Sequence, residues 1–178
     1  GIYGGLMTVT EAAAVSATFP QETWECSHLG GDRFAGNLVV LPTGTYYGQL
    51  DPATAVDVVL AHRERRVAAT HLRGVTTLPP VGQAALTGVL AQFGPGPIGD
   101  LTARILPGGG PTRWRVVVTG HPLAPEVLVE VRRGILPPVR RACRASEEEV
   151  AVTYSAVVTD VVGPKTTLGE RVQGEGTT

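Results

Sequence analysis

Between Pro107 and Arg113 the spacing of the apolar residues changes, and that change limits the architectures open to the chain. Before it, leucines, valines and alanines recur at intervals of three and four; after it, in RWRVVVTGHPLAPEVLVEVRRG, they alternate. Trp114, Val116 and Val118 then share one face of an extended strand, and Val127, Val129 and Val131 one face of the next. The two strands are expected to pair antiparallel about the connection TGHPLAP. A chain that carries both periods in succession is expected to form an α/β sandwich, not an all-α or all-β fold. Its 43% hydrophobic and 17% charged residues are globular proportions, and 178 residues suffice for one substantial core.

Local signals place the remaining elements. In TVTEAAAVSATFP, Thr10 is an expected N-cap and Pro20 a stop, so a short helix should end near Phe19. Leu38 to Leu41, the turn PTG, and Tyr46, Tyr47 and Leu50 read as a hairpin. Asp51 as N-cap and Pro52 at the first helical position open a helix whose apolar residues are Val56, Val59, Leu60 and Val67, with Arg63, Arg65 and Arg66 toward its C-terminal end. A third helix begins at PPVGQAALTGVLAQFG, with Leu86, Val89, Leu90 and Phe93 on one face and GPGPIG as its end; Gly82 and Gly88 weaken its propensity. One more strand is expected around Val150 to Val162, then a loose tail, giving a domain over residues 1–162 and a flexible segment over 163–178.

Several function classes are disfavoured. A net charge of −1 offers no basic field for a phosphate backbone, so nucleic acid is not an expected partner. No apolar run approaches the roughly 20 residues of a membrane span, and two distant cysteines, Cys26 and Cys143, do not make a disulfide framework. The chain therefore reads as cytoplasmic, without a membrane partner. Its start at Gly1 reads as that of a trimmed polypeptide. Walker, G-x-S-x-G and zinc-protease patterns are absent, as is C-x-x-C, and the glycine-rich GPGPIG and PGGGP read as linkers.

The densest chemistry lies in WECSHLGGDRFAGN, residues 24–37. Cys26, His28 and Asp32 place a thiolate, an imidazole and a carboxylate within seven residues, and Gly30 and Gly31 let the backbone approach a bound group closely. Three candidate ligands suit a mononuclear metal site, yet structural zinc takes four, and no second pair is present. The alternative is structural: a packed cysteine, a hydrogen-bonded turn histidine, and a surface pair of Asp32 with Arg33.

The run WECSHLGGDRFAGNLVVLPTGTYYGQLDP, with HLRG after the next helix, resembles the sucrase/ferredoxin-like family of thioredoxin-like [2Fe-2S] proteins, and the likeness spans most of residues 11–145. The resemblance implies a thioredoxin-like sandwich with a C-terminal antiparallel hairpin, a [2Fe-2S] cluster, and one-electron transfer to a redox partner protein instead of catalysis. In that family two cysteines of an N-terminal loop and two residues of the pattern His-x-Gly-Gly-His-x-(Phe/Tyr)-Ala hold the cluster. His28 stands at the first of those two positions; Asp32 replaces the second histidine, leaving Cys26 as a substitute ligand. The cysteine loop has no counterpart before residue 24, so the chain reads as the C-terminal part of a family member, unable to retain the cluster alone. Imidazole ligation implies a raised potential and reduction coupled to proton uptake. A cluster-less binding or structural module is the alternative function. The sucrose-cleaving activity in the family's name finds no paired carboxylates here.

Among the other titratable residues, His62 is expected to be solvated beside Arg63 and Arg66, His71 and His121 to lie in loops, and Cys143 to be packed and inert.

Overall fold

The clearest link from sequence to structure is at Asp51. Its carboxylate accepts from the Thr54 N–H at 2.8 Å while the Thr54 hydroxyl accepts from the Asp51 N–H at 2.8 Å, and Pro52 fills the first helical position with its fixed φ. The chain is described from a computed structural model, over residues 2–4, 9–26, 29, 34–67, 69–139 and 149–162.

The first half is a layer of two helices on a sheet. Helix α1 spans Val9–Thr18 and packs on α2, Pro52–Arg63. Strands β1 (Ile2–Gly4), β2 (Leu38–Val40), β3 (Thr45–Tyr47) and β5 (Leu72–Val75) form an antiparallel sheet in the order β1-β2-β3-β5. The expected hairpin is present, with Leu38 opposite Tyr47 and Val40 opposite Thr45. Val15, Ala55 and Val59 are completely buried under it with Leu38, Val40 and Tyr47. Val67 does not belong to α2. The helix ends at Arg63, Arg65 takes a positive φ of 60°, and Val67 falls in the two-residue strand β4 (Arg66–Val67), paired with β6 (Gly96–Pro97). GPGPIG is thus partly a strand and not simply a linker. Leu60 also departs from expectation, at 44% exposure, because the inward stripe of α2 runs through Ala55 and Val59.

The second half is an antiparallel sheet ordered β10-β9-β8-β7, from β7 (Thr102–Ile105), β8 (Arg113–His121), β9 (Ala124–Val139) and β10 (Glu149–Val162). The alternation in the sequence sets its register: Trp114 faces Val131, Val116 faces Val129 and Val118 faces Val127, and the five valines are fully buried. Each such valine is worth roughly 1.5–3 kcal/mol of burial. The turn is tighter than expected, since His121 pairs with Ala124 and leaves only Pro122 and Leu123 between the strands.

Helix α3, Pro80–Phe93, lies between the halves. Leu86 and Leu90 enter the core of the first sheet, while Val81, Ala85 and Val89 enter that of the second, so the single apolar face expected of this helix is two faces. Gly88 serves the second contact: a Cβ there would stand 2.9 Å from the Cβ of Ala156 on β10. Its low helix propensity is offset by the close approach of the strand. The molecule is therefore mixed α/β, with three helices and two four-stranded antiparallel sheets among the described residues. The expected tail, 163–178, lies outside them.

Gly88→Leu should push β10 off α3 and lower the urea unfolding free energy by about 1–3 kcal/mol, the usual cost of overpacking. An unchanged midpoint would show that α3 and β10 are not in tight contact.

Candidate functional site

Of the candidate ligands, Cys26 alone falls among the described residues; His28, Gly30, Gly31 and Asp32, like Cys143, lie outside them. Cys26 is exposed at the end of the extended stretch that follows α1. It borders a depression of about 330 Å³ with Trp24, Leu29, Val39 and Tyr46 on its walls, and Trp24 is 48% exposed. Among the described residues no three His, Cys, Asp or Glu side chains converge on one point. They supply a single candidate thiol, and one thiol does not hold an iron–sulfur cluster.

The far side of the same motif is firmly anchored. Phe34 O accepts from the Gln49 N–H at 2.8 Å and Gly36 O from the Leu50 N–H at 3.2 Å, stitching the exit of the motif to the chain beyond β3. Arg73 on β5 lies 4.4 Å from the Phe34 ring centroid and donates from Nη1 to the buried Asn37 Oδ1 at 2.7 Å. Glycine is needed at residue 48, where a Cβ would come within 2.5 Å of Arg73 Cδ and 3.0 Å of Phe34 Cβ. Glu11, in the first turn of α1, is 6% exposed and packs against Gly36; its Oε2 has no hydrogen-bond partner among the described residues. A position near a helix N-terminus offsets part of the cost of burying that carboxylate.

A second polar cluster went unread in the sequence. His62, expected to be solvated, instead turns under the β2–β3 hairpin: its Nε2 lies 3.1 Å from Thr43 Oγ1 and its Nδ1 3.1 Å from the Tyr47 hydroxyl. Thr43 Oγ1 donates its one proton to Val40 O at 3.1 Å, so His62 Nε2 carries a hydrogen and donates to it. Nδ1 is then the acceptor for Tyr47. Thr45 Oγ1 donates in turn to Thr43 Oγ1 at 2.9 Å. The signal was available, because His62 lies three positions after Val59 and seven after Ala55, the two buried residues of α2. The adjacent arginines lie on the solvent side of the helix, away from the partners of His62. Burial pushes the His62 imidazole down to about 4 and raises the Tyr47 phenol well above its ordinary range.

His121 also departs from its expected loop position. It is 2% exposed at the end of β8, where the Leu123 N–H donates to Nδ1 at 3.2 Å and Nε2 donates to Gly94 O at 3.2 Å. It fastens the end of α3 to the β8–β9 turn. His71 does sit in a turn, with Nδ1 3.4 Å from Gly48 O.

The unfolded chain protonates His62 near its ordinary 6.5 and the folded one near 4, so the unfolded state binds more protons between those values. The His62 contribution to stability is fully present well above pH 6.5 and is lost as the pH drops toward 4. After discounting for the ring's partial exposure, the loss amounts to about 1–2 kcal/mol. His62→Gln should remove that part of the slope when urea unfolding is compared at neutral and acidic pH. Equal slopes in the two proteins would contradict the assignment.

No protein-family model, curated protein or solved structure matches the chain in comparisons with known proteins.

Proposed function

We propose that this chain belongs to a one-electron carrier of the sucrase/ferredoxin-like type, whose intact form holds a [2Fe-2S] cluster with His28 as a ligand and Cys26 or Asp32 as the next. The observation that carries the reading is the sequence HLGGDRFA at residues 28–35, with its two flanks. On one side stands an exposed thiol at Cys26; on the other, Phe34 to Asn37 are fixed by Arg73 and by backbone bonds to residues 49 and 50. A cofactor ligand set benefits from rigid support on neighbouring elements. The exposed Trp24 beside Cys26 gives the surface an apolar patch suited to brief contact with a redox partner protein. Two further cysteines from an N-terminal loop, as in the family pattern, would complete the shell. The thioredoxin-like sandwich is part of the same proposal, supported by the β2–β3 hairpin that leads directly into α2 with Ala55 and Val59 buried against it.

The natural protein, purified without air, should absorb in the visible range and give an electron paramagnetic resonance signal on reduction. His28→Ala should lose iron while its far-ultraviolet circular dichroism is retained. A colourless, iron-free protein overturns the proposal and leaves the cluster-less module; stoichiometric zinc would point instead to a mononuclear site at Cys26, His28 and Asp32.

A further inference from the structure

A cavity of about 360 Å³ opens where the first sheet, the β4–β6 pair and β7 meet, with Leu86 of α3 in its wall. Val67, Val75, Leu78, Ile98 and Leu101 give it an apolar lining, and no Lys, Arg, His, Asp or Glu contributes to it. Arg65 passes close by but is engaged elsewhere, donating to Ile98 O at 3.2 Å and facing Asp100 at 3.9 Å. The polar groups of the lining are threonine hydroxyls, and two of them, Thr43 and Thr45, end the chain that begins at Tyr47 and His62.

That chain gives the cavity a direction. Thr43 Oγ1 accepts from His62 and from Thr45 and donates to Val40 O, which uses its full capacity. Thr45 is 2% exposed, its proton is committed to Thr43, and its oxygen has no other partner among the described residues. Thr45 Oγ1 is satisfied by its bond to Thr43 and still has lone pairs with which it can accept from a ligand in the cavity that this residue lines. The geometry points to a binding site for a neutral, largely aromatic or alicyclic small molecule bearing one O–H or N–H group, which Thr45 Oγ1 receives. A chamber of this volume accommodates a two- or three-ring compound, and the lining would leave an ionised ligand without a counter-charge. The inference stands apart from the electron-carrier reading, since it uses none of the motif residues.

The test uses the full chain and the neutral fluorophore N-phenyl-1-naphthylamine, which carries one N–H. Its emission should rise saturably with one site per chain, whereas the sulfonated analogue 8-anilinonaphthalene-1-sulfonate should bind at least about tenfold more weakly. Thr77→Trp and Thr102→Trp, at exposed positions on the rim, should each weaken the neutral probe by about tenfold or more with an unchanged melting curve. Thr45→Val should weaken it about three- to tenfold, yet leave 1-phenylnaphthalene, which lacks the N–H, unaffected. Nuclear Overhauser contacts from the bound probe to methyl groups of Val75, Leu86 and Ile98 locate it in the unaltered protein. Absence of saturable binding, contacts elsewhere, or wild-type affinity in both folded rim variants would overturn the site; equal loss of both neutral probes in Thr45→Val would overturn the role of the hydroxyl.

Discussion

Everything in this architecture depends on burying both sides of α3. Neither sheet has an apolar layer of its own that would cover it completely: the first relies on Leu86 and Leu90 from that helix, the second on Val81, Ala85 and Val89. A helix with one hydrophobic stripe would leave one of the two cores incomplete. The residues that widen the stripe are small, and Gly88 in particular lets Ala156 approach to a distance that no side chain would permit. The result is a shared wall between two otherwise separate cores.

The sequence revealed most where one local rule acted alone. The N-cap at Asp51, the alternation from Trp114 to Val131 and the strand near Val150 to Val162 are all legible, because side-chain period and turn chemistry determine them without help from distant parts of the chain. Errors arose where a residue's neighbours came from elsewhere. Val67 looks like the next apolar step of α2 until Arg65 adopts a positive φ and the chain turns to meet Gly96. His121 reads as a turn residue because proline follows it, yet the strand continues through it and Gly94, 27 positions away, supplies its acceptor. The double face of α3 had the same origin. The face of Leu86, Val89, Leu90 and Phe93 is legible in the sequence, but the presence of a second sheet to receive the other side is not.

The candidate site divides in a similar way. Motif residues announced themselves by type and spacing, whereas the anchoring of Phe34 by Arg73 and the insertion of His62 beneath the hairpin require contacts between residues 39 and 19 positions apart. The arginine that follows His62 suggests a solvated position. Helical geometry alone would have placed it inward, three residues beyond Val59, and the hydroxyls of Thr43 and Tyr47 make that position tolerable for a polar ring.

Arg113 and Arg132 both hold Glu130, on the exposed face of the sheet opposite the valines, and their hydrogen bonds lower the pKa of that carboxyl. The three groups straddle β8 and β9 at the point where the four-stranded sheet narrows to the two-stranded ribbon of β9 and β10. The base of that ribbon is braced by apolar contacts, with the rings of Trp114 and Tyr154 6.1 Å apart and Ala156 against α3, and by this ionic clasp on the other face, so salt concentration acts on one side of the joint and leaves the apolar side untouched.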